Sequence, residues 1–285
     1  MNSFYVITNQ LKESAGKEAN FIKNYLEERG KVCYLQSEST KSESQHVRYT
    51  DASMIPKDVE CVIALGGDGT LLHASRDLVD TSLPLLGVNL GTLGYLAEIE
   101  LSAIAPTLDR LIADDYSIED RMMLQGTVVS ASGERSENIA LNDIVISRRG
   151  PLRVVDFNVY VDDVFLCSYR ADGIIVATPT GSTGYSLSAG GPIVSPDASL
   201  ILLTALAPHT LISRTIVLPD NVAVTVEIEK SRYAEAGGAE AYFDGDTCLI
   251  PGKGDRIVIS RSEKTTHLIK MNHTSFVKNL REKLR

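Results

Sequence analysis

The segment GGDGT at residues 66–70 has the composition of a phosphate-binding turn that also carries a carboxylate. Gly66, Gly67 and Gly69 let the backbone turn tightly and bring N–H groups close to an anion. A carboxylate is unfavourable beside a phosphate unless it accepts a proton or holds a metal ion, so we predict a chemical role for Asp68. The competing interpretation is that Asp68 only caps the helix that follows.

A second segment, DGIIVATPTGSTGYSLSAGGP at residues 172–192, contains a run of small and hydroxyl-bearing residues with one aromatic side chain. Hydroxyls and exposed N–H groups suit a neutral polar ligand such as a ribose or the edge of a base. Tyr185 offers a face on which a ring can stack. Because loops of this composition are common without any ligand, the segment alone leaves both interpretations open.

The overall composition restricts the partners of these segments. The 285 residues include 28 Lys and Arg against 37 Asp and Glu, which gives a net charge of −9. Such an acidic chain is a poor candidate for binding nucleic acid or an anionic membrane through bulk charge, so a phosphate would have to be bound by local backbone groups. The four cysteines lack CxxC spacing, and the sequence shows neither a secretion signal nor a long apolar run. We therefore predict a globular cytoplasmic protein.

Strand and helix patterns alternate over the first hundred residues, and this alternation predicts a doubly wound parallel α/β sheet. GGDGT would then lie at the carboxyl end of the third strand and at the start of a helix, where open α/β sheets bind ligands. The predicted strands are residues 4–8, 32–35, 59–65 and 83–88, and the predicted helices are residues 17–29, the segment after residue 70, and residues 103–113.

From residue 122 to about residue 271, short β-branched runs separated by turns predict an all-β, sandwich-like domain. Within it we predict a strand at residues 139–146 and a helix at residues 198–206. The amphipathic pattern of residues 275–285 predicts a further helix. The expected organisation is an α/β domain at residues 1–118, a β-rich domain at 119–270, and a C-terminal helix at 271–285 that returns to the first domain.

Two common nucleotide-binding motifs are excluded, because the sequence has neither GxxxxGK[ST] nor GxGxxG after a strand. GGDGT together with TPTGSTGY at residues 178–185 instead resembles the NAD kinases. Three more segments agree with this resemblance, namely LND at 141–143, PHTLISR at 208–214 and FDGD at 243–246. GGDGT alone is shared with diacylglycerol and sphingosine kinases, whereas TPTGSTGY is more specific.

The resemblance implies an enzyme that transfers the γ-phosphate of ATP to the 2′-hydroxyl of the adenosine ribose of NAD and so makes NADP. Asp68 would be the general base. Mg²⁺ or another divalent cation would accompany ATP as cofactor, and the resemblance assigns no residue as a metal ligand. The implied partners are NAD and ATP, without nucleic acid or membrane, in a homo-oligomer of two or four subunits. The β-rich domain would bind the dinucleotide.

The same resemblance assigns ligand-binding residues in both domains. For His73 the alternative is a helix-surface histidine with no role, and for His209 it is a buried, hydrogen-bonded core histidine. For Arg170 and Asp172 the alternative is a surface salt bridge. The full set is Gly66, Gly67, Gly69, His73, Asn142, Asp143, Arg153, Arg170, Asp172, Thr183, Gly184, Tyr185, Ser186, Leu187, Ser188, His209 and Asp246.

Three of these positions depart from the family pattern. Asp143 stands where the family has glutamate, which shortens the side chain by one methylene group. Gly184 stands where alanine is usual, so the turn should be looser. Asp246 stands where glutamine is common, and an ionised aspartate only accepts hydrogen bonds whereas glutamine also donates them.

Two other functions fit parts of the pattern. A lipid kinase would share GGDGT, but the sequence has no basic amphipathic helix beyond its short tail. A non-catalytic sensor of NADP(H) would share the whole resemblance, but it would not need a base at Asp68.

Overall fold

The computed structural model describes residues 1–8, 13–36, 50–91, 94–97, 99–149, 154–209, 214–229, 239–251, 254–271 and 275–283. The chain forms two compact units. The first unit contains Met1–Arg121 and Thr265–Arg285, and the second contains Met122–Lys264. Both divisions fall inside long strands, at residues 117–129 and 256–270. The boundary expected after residue 118 lies in the first of these strands, and the one expected after residue 270 lies at the end of the second.

The bounds of the regular elements are as follows. The α-helices are α1 (Glu13–Glu27), α2 (Asp68–Asp77), α3 (Ile104–Ile112), α4 (Tyr185–Ser188) and α5 (Ser275–Lys283). The strands are β1 (Ser3–Thr8), β2 (Val32–Leu35), β3 (Cys61–Gly66), β4 (Leu85–Asn89), β5 (Ile99–Glu100), β6 (Ser117–Val129), β7 (Arg135–Ala140), β8 (Asp143–Arg148), β9 (Val155–Val161), β10 (Val164–Ala171), β11 (Gly173–Ala177), β12 (Leu200–Leu206), β13 (Ile216–Pro219), β14 (Val224–Ile228), β15 (Ala239–Phe243), β16 (Thr247–Leu249) and β17 (Arg256–Lys270).

The first unit is built around a parallel sheet with the strand order β2-β1-β3-β4. The carboxyl-terminal part of β17 joins β4 in parallel, where Leu268 lies opposite Leu85. Helix α1 packs its apolar stripe into the core of this unit, because Ala19, Ile22 and Leu26 recur at helical spacing and are all buried. The predicted α/β class is confirmed for this unit.

The second unit is a sandwich of antiparallel strands. One sheet contains β10, β9, β14 and the first part of β17, and the other has the order β13-β12-β11-β8-β15-β16. A single hydrophobic core includes side chains of both sheets, for example Phe157 on β9 and Ile144 on β8. The expected β-rich class is therefore confirmed as well.

Strand β11 leads into the hydroxyl-rich segment and is buried on both faces. Ile174 and Val176 belong to the core of the sandwich, whereas Ile175 and Ala177 pack in a second cluster on the opposite face of the sheet. Val194, beyond the hydroxyl-rich segment, packs against this second cluster. Burial of both faces accounts for the continuous apolar run, and it fixes the point at which the segment leaves the sheet.

Two predicted elements are wrong. Residues 198–206 do not form a helix, since Leu200–Leu206 is strand β12, which pairs with β11 and β13. A short, mostly apolar run is compatible with a buried helix or a central strand, and periodicity cannot separate the two. The predicted strand at 139–146 is two strands, β7 and β8, which are interrupted at residues 141 and 142.

Within the described ranges, no helix combines the length and apolar character that a membrane crossing requires.

Candidate functional site

Asp68 is the first residue of α2, immediately after the turn that follows β3. Its carboxylate does not cap the helix, because the N-cap position is Gly67 and no side chain hydrogen-bonds there. Instead the carboxylate accepts three backbone N–H groups from a neighbouring loop. Oδ2 accepts from Tyr95 at 2.8 Å, and Oδ1 accepts from Leu96 at 3.1 Å and Ala97 at 3.0 Å. The alternative that Asp68 is only a cap is therefore wrong.

The glycines of GGDGT have different roles. A Cβ atom at Gly66 would lie 2.0 Å from the hydroxyl oxygen of Thr70, so this glycine is needed for the close approach of helix to strand. At Gly67 and Gly69, a Cβ would meet no atom within 4 Å among the residues that the structure describes. The backbone at these two positions is therefore open to a ligand, next to the N-terminus of α2, where helix N–H groups favour an anion.

His73 lies in the middle of α2. Its ring Nδ1 is 3.2 Å from a guanidinium nitrogen of Arg76, one turn further along the helix, so this ring nitrogen accepts a hydrogen bond from the arginine. A ligand role for His73 stays a prediction.

In the second unit, Asp244 binds backbone N–H groups in the same manner. Its Oδ2 accepts from Leu141 at 2.9 Å, and its Oδ1 accepts from Asn142 at 2.7 Å and Asp143 at 3.2 Å. Asp244 and Gly245 both have positive φ angles, 51° and 76°, in the hairpin turn between β15 and β16. The aspartate therefore fixes the backbone that separates β7 from β8.

A cavity of about 430 Å³ lies in the second unit beside this backbone. It brings together three of the predicted residues, Asn142, Asp143 and Tyr185, and adds others that sequence analysis did not assign. The added residues are Val145, Ser147, Tyr242, Asp244 and Gly245.

Asp143 is the buried carboxyl group of this cavity, with 5% of its surface exposed. Burial, and secondly the charge of Asp244, raise the pKa of Asp143 to about 7. The neighbouring Asn142 presents a buried Oδ1 that has no hydrogen-bond partner in the described part of the chain. Buried amide oxygens are normally paired. This oxygen is therefore suited to a donor on a ligand.

The hydroxyl-rich segment is tied to the same backbone. Thr178 donates its hydroxyl to the carbonyl oxygen of Leu141 at 2.6 Å and its N–H to that of Asn142 at 2.9 Å. A Cβ at Gly181 would lie 2.0 Å from the carbonyl oxygen of Asn142, so the two backbones approach too closely for any other residue.

The predicted residues 183–188 follow directly as the end of a 3₁₀ turn and the short helix α4. Tyr185 is 45% exposed and faces the cavity, whereas Ser186 is buried with its hydroxyl 3.4 Å from that of Thr204. A Cβ at Gly184 would lie 3.7 Å from Asp143 Oδ2, which is an ordinary contact distance, but 3.3 Å from the carbonyl oxygen of Gly181, which is a tight one. The alanine expected at this position would therefore fit beside the carboxyl group of Asp143 only with a small shift of the Gly181 carbonyl group. Ligand roles for Thr183, Leu187 and Ser188 stay predictions.

Four further predicted residues of the second unit, like Thr183, Gly184, Ser186, Leu187 and Ser188, lie outside the cavity lining. Arg170 pairs with Asp156 at 2.8 Å, and Asp172 pairs with Arg148 at 2.9 Å, so within one chain both form the surface salt bridges that sequence analysis kept as an alternative. His209 and Asp246 are exposed, so the alternative of a buried core histidine at position 209 is wrong. Arg153 lies outside the described residues.

Sequence reasoning missed two groups of residues. Asp244 stands in the FDGD segment, and its position in an Asp-Gly turn was the available signal. The backbone N–H groups of residues 95–97 could not be recognised from the side chains of these residues. The available signal was the glycine-rich turn that ends at Gly94, just before them.

Comparisons with known proteins find matches to both halves of the chain. Residues 4–116 match the family model of the ATP-NAD kinase N-terminal domain, and residues 141–271 match that of the ATP-NAD kinase C-terminal domain. An NAD kinase of Lachnospira eligens is 41% identical over 293 residues, which cover 100% of each chain. An NAD kinase of Agathobacter rectalis is 44% identical over 285 residues, which cover 100% of this chain and 99% of the relative.

A solved structure is also similar. The crystal structure of an NAD kinase from Archaeoglobus fulgidus in complex with ATP superposes with a TM-score of 0.77 at 25% identity, covering 100% of this chain and 99% of that one. Family models that match both halves, together with relatives that match along the full length, identify the chain as a member of the ATP-NAD kinase family.

Proposed function

We propose that this chain is an ATP-dependent NAD kinase that transfers the γ-phosphoryl group of ATP to the 2′-hydroxyl of the adenosine ribose of NAD. Family membership and the relatives named NAD kinase support the reaction class. The observation that carries the proposal is the Asp68 carboxylate, which is held at the start of α2 beside an open glycine turn.

In the proposed reaction, Asp68 accepts the proton of the 2′-hydroxyl while that oxygen forms a bond to the γ-phosphorus of ATP. The bond between the γ-phosphorus and the bridging oxygen breaks, and ADP leaves with that electron pair. The N–H groups of the glycine turn and of the N-terminus of α2 stabilise the negative charge of the phosphoryl group. Phosphoryl transfer depends mainly on positioning and charge stabilisation, so this small set of groups is sufficient together with the divalent cation that accompanies ATP.

We propose that the dinucleotide binds in the cavity of the second unit. The unpaired Asn142 Oδ1 accepts a hydrogen bond from the ligand, Asp143 accepts from a ribose hydroxyl, and the exposed ring of Tyr185 stacks on a base. All three residues have a position on the cavity wall, which supports their grouping in one binding site.

The divalent cation is proposed to enter with ATP as part of the Mg–ATP substrate. Mg²⁺ is commonly held by substrate phosphates, a few waters and one or two carboxylates. Among the residues that the structure describes, no three His, Cys, Asp or Glu side chains cluster as metal ligands.

We propose further that the protein acts as a homo-oligomer in the cytoplasm. Strand β10 lies at the end of its sheet, and three consecutive side chains on it, Val164, Phe165 and Leu166, are exposed. Such an apolar edge strand is suited to a second copy of the chain. All four cysteines are free, as expected in a reducing compartment. Light scattering on the purified protein tests the first proposal, and a monomeric mass would contradict it.

The activity is tested by incubating the protein with ATP, Mg²⁺ and NAD and by measuring NADP with a coupled dehydrogenase. We expect NADP formation by the wild type and almost none by Asp68→Asn. No NADP above the level of that variant would refute the proposal. Phosphorylation of diacylglycerol but not NAD would favour a lipid kinase, and stabilisation by NADP without turnover would favour a sensor.

A further inference from the structure

The three N–H groups around Asp68 are distributed unequally between its two oxygens. Oδ1 accepts two of them, from Leu96 and Ala97, whereas Oδ2 accepts one, from Tyr95. A carboxylate offers about four lone-pair sites, two on each oxygen. Among the residues that the structure describes, donors therefore occupy both sites of Oδ1 and leave one site of Oδ2 for a further donor.

Gly94 makes this arrangement possible. A Cβ at position 94 would lie 1.8 Å from Asp68 Oδ1, 2.5 Å from its Cγ and 2.8 Å from its Oδ2. The φ angle of Gly94 is not in the left-handed region, so the backbone conformation itself does not require glycine. The requirement is for space, because any side chain at this buried position would occupy the volume of the carboxylate.

We propose that Gly94 is a positioning residue for the phosphoryl transfer, and that with the N–H groups of residues 95–97 it forms a cradle that leaves Asp68 Oδ2 as the proton acceptor. The inference rests on the proposed function, since it takes Asp68 as the base. In this scheme the proton of the ribose hydroxyl moves to Oδ2 while the hydroxyl oxygen bonds to phosphorus and ADP leaves. The neutral carboxyl group afterwards releases its proton to water.

The cradle acts through geometry. Three amides hold both carboxylate oxygens, so the carboxyl plane cannot rotate without breaking at least one of these hydrogen bonds. Displacement of a catalytic group by about 1 Å is enough to cost on the order of 10²-fold in rate. Loss of the cradle should therefore lower the rate of the chemical step more than the affinity for either substrate.

The test is Gly94→Ala in the full-length protein. We expect kcat to fall by about 10²-fold or more, whereas the KM values for ATP and NAD and the dissociation constant of NADP change less than about threefold. In the Asp68→Asn background, Gly94→Ala should lower the residual rate no further. A matched control is Gly126→Ala, where the added Cβ meets Phe243 Cε1 at 2.8 Å in the other unit. This control should lower the thermal midpoint and leave kcat within about threefold.

Several results would overturn the inference. One is a kcat of Gly94→Ala within threefold of the wild-type value while Asp68→Asn is inactive. Another is a rate of the double variant below the residual rate of Asp68→Asn alone. If the wild type itself makes no NADP, the proposed function fails instead, so the two failures are distinguishable. If Gly94→Ala does not fold, Asp68→Glu provides the test, since its extra methylene displaces the carboxylate from the cradle. We expect a loss of at least about 10²-fold in kcat, and near-normal turnover by Asp68→Glu would overturn the inference.

Discussion

Asp68 in the first unit and Asp244 in the second accept backbone N–H groups in the same pattern, but the pattern has a different purpose in each unit. In each case three consecutive residues donate their N–H groups, the first to Oδ2 and the next two to Oδ1. At Asp68 the loop holds the carboxylate, which is the reactive group of the proposed mechanism. At Asp244 the carboxylate holds the loop, which carries Asn142 and Asp143 into the cavity. The pattern of hydrogen bonds is thus not a sign of catalysis.

The largest expected effect tests the first half of this comparison. Asp68→Asn keeps the size of the side chain but removes its charge and its proton-accepting oxygen, so kcat should fall by about 10³-fold or more. The kcat is measured at saturating ATP and NAD from the NADP formed, with a coupled dehydrogenase. Asp163→Asn is the matched control, because Asp163 is exposed and asparagine tolerates its φ of 63°. A kcat of Asp68→Asn within tenfold of the wild-type value would show that Asp68 is not the general base.

Asp244→Asn should change a different kinetic constant. The new amide group presents a donor to backbone N–H groups, so the loop that carries Asn142 and Asp143 loses at least one hydrogen bond to a charged acceptor, about 1.5–3 kcal/mol. We expect the KM for NAD to rise about 10-fold or more, with a smaller change in kcat. Steady-state kinetics with NAD as the varied substrate measures both constants. A loss confined to kcat would mean that both aspartates act in the chemical step.

The pH dependence of stability sharpens the difference between the two regions. Asp143, beside Asp244, has a pKa raised to about 7 in the folded chain against an ordinary value of 3.8. Between these two values the folded state binds more protons than the unfolded state, so this group lowers stability as pH rises from about 4 to about 7. The asparagine of Asp143→Asn resembles the protonated carboxyl group. The variant should therefore gain roughly 2–4 kcal/mol relative to wild type over this range.

Urea unfolding of the two proteins at several pH values measures that difference. Tyr242 also faces the cavity, and its pKa is raised to about 12 by the hydrogen bond to Glu240 and by burial, so it stays neutral throughout. A difference between wild type and Asp143→Asn that does not vary with pH would show that Asp143 titrates normally.

The smallest effect is expected at Asp246, two residues beyond Asp244. This side chain is exposed and does not line the cavity, so Asp246→Gln should leave the KM for NAD within about twofold of the wild-type value. The KM for NAD of Asp244→Asn, measured in the same way, is the comparison, because it is expected to rise. A clear change at Asp246 would place the dinucleotide beyond the cavity wall, against the exposed end of the β15–β16 hairpin.

Much of this site could be predicted from residue types. Asp68 was identifiable because a carboxylate in a glycine turn after a buried strand is unfavourable without a role. Asn142, Asp143 and Tyr185 followed from the family resemblance, and the cavity brings all three together. Gly94 and Asp244 could not be chosen on the same grounds, since their importance lies in contacts with residues 26 and about 100 positions away. Such contacts are created by the fold and leave no local pattern.

The error at β12 has a similar cause. The run LILLTAL has a single polar residue, so its polar pattern cannot distinguish a strand from a helix. The run is a strand because it pairs with β11 and β13. The interruption between β7 and β8 is likewise fixed by Asp244, whose carboxylate takes up the N–H groups of residues 141–143.

The first unit is discontinuous in the chain, because Thr265–Arg285 belongs to it together with Met1–Arg121. Lys283, near the C-terminus, lies over the ring of Tyr95 at 4.1 Å, and the N–H of that tyrosine holds Asp68. During synthesis, the unit that bears GGDGT therefore cannot be completed until the second unit and the segment Thr265–Arg285 after it have emerged from the ribosome. A nascent chain that ends before Thr265 lacks the segment that completes the first unit, and with it the contact of Lys283 with the ring of Tyr95.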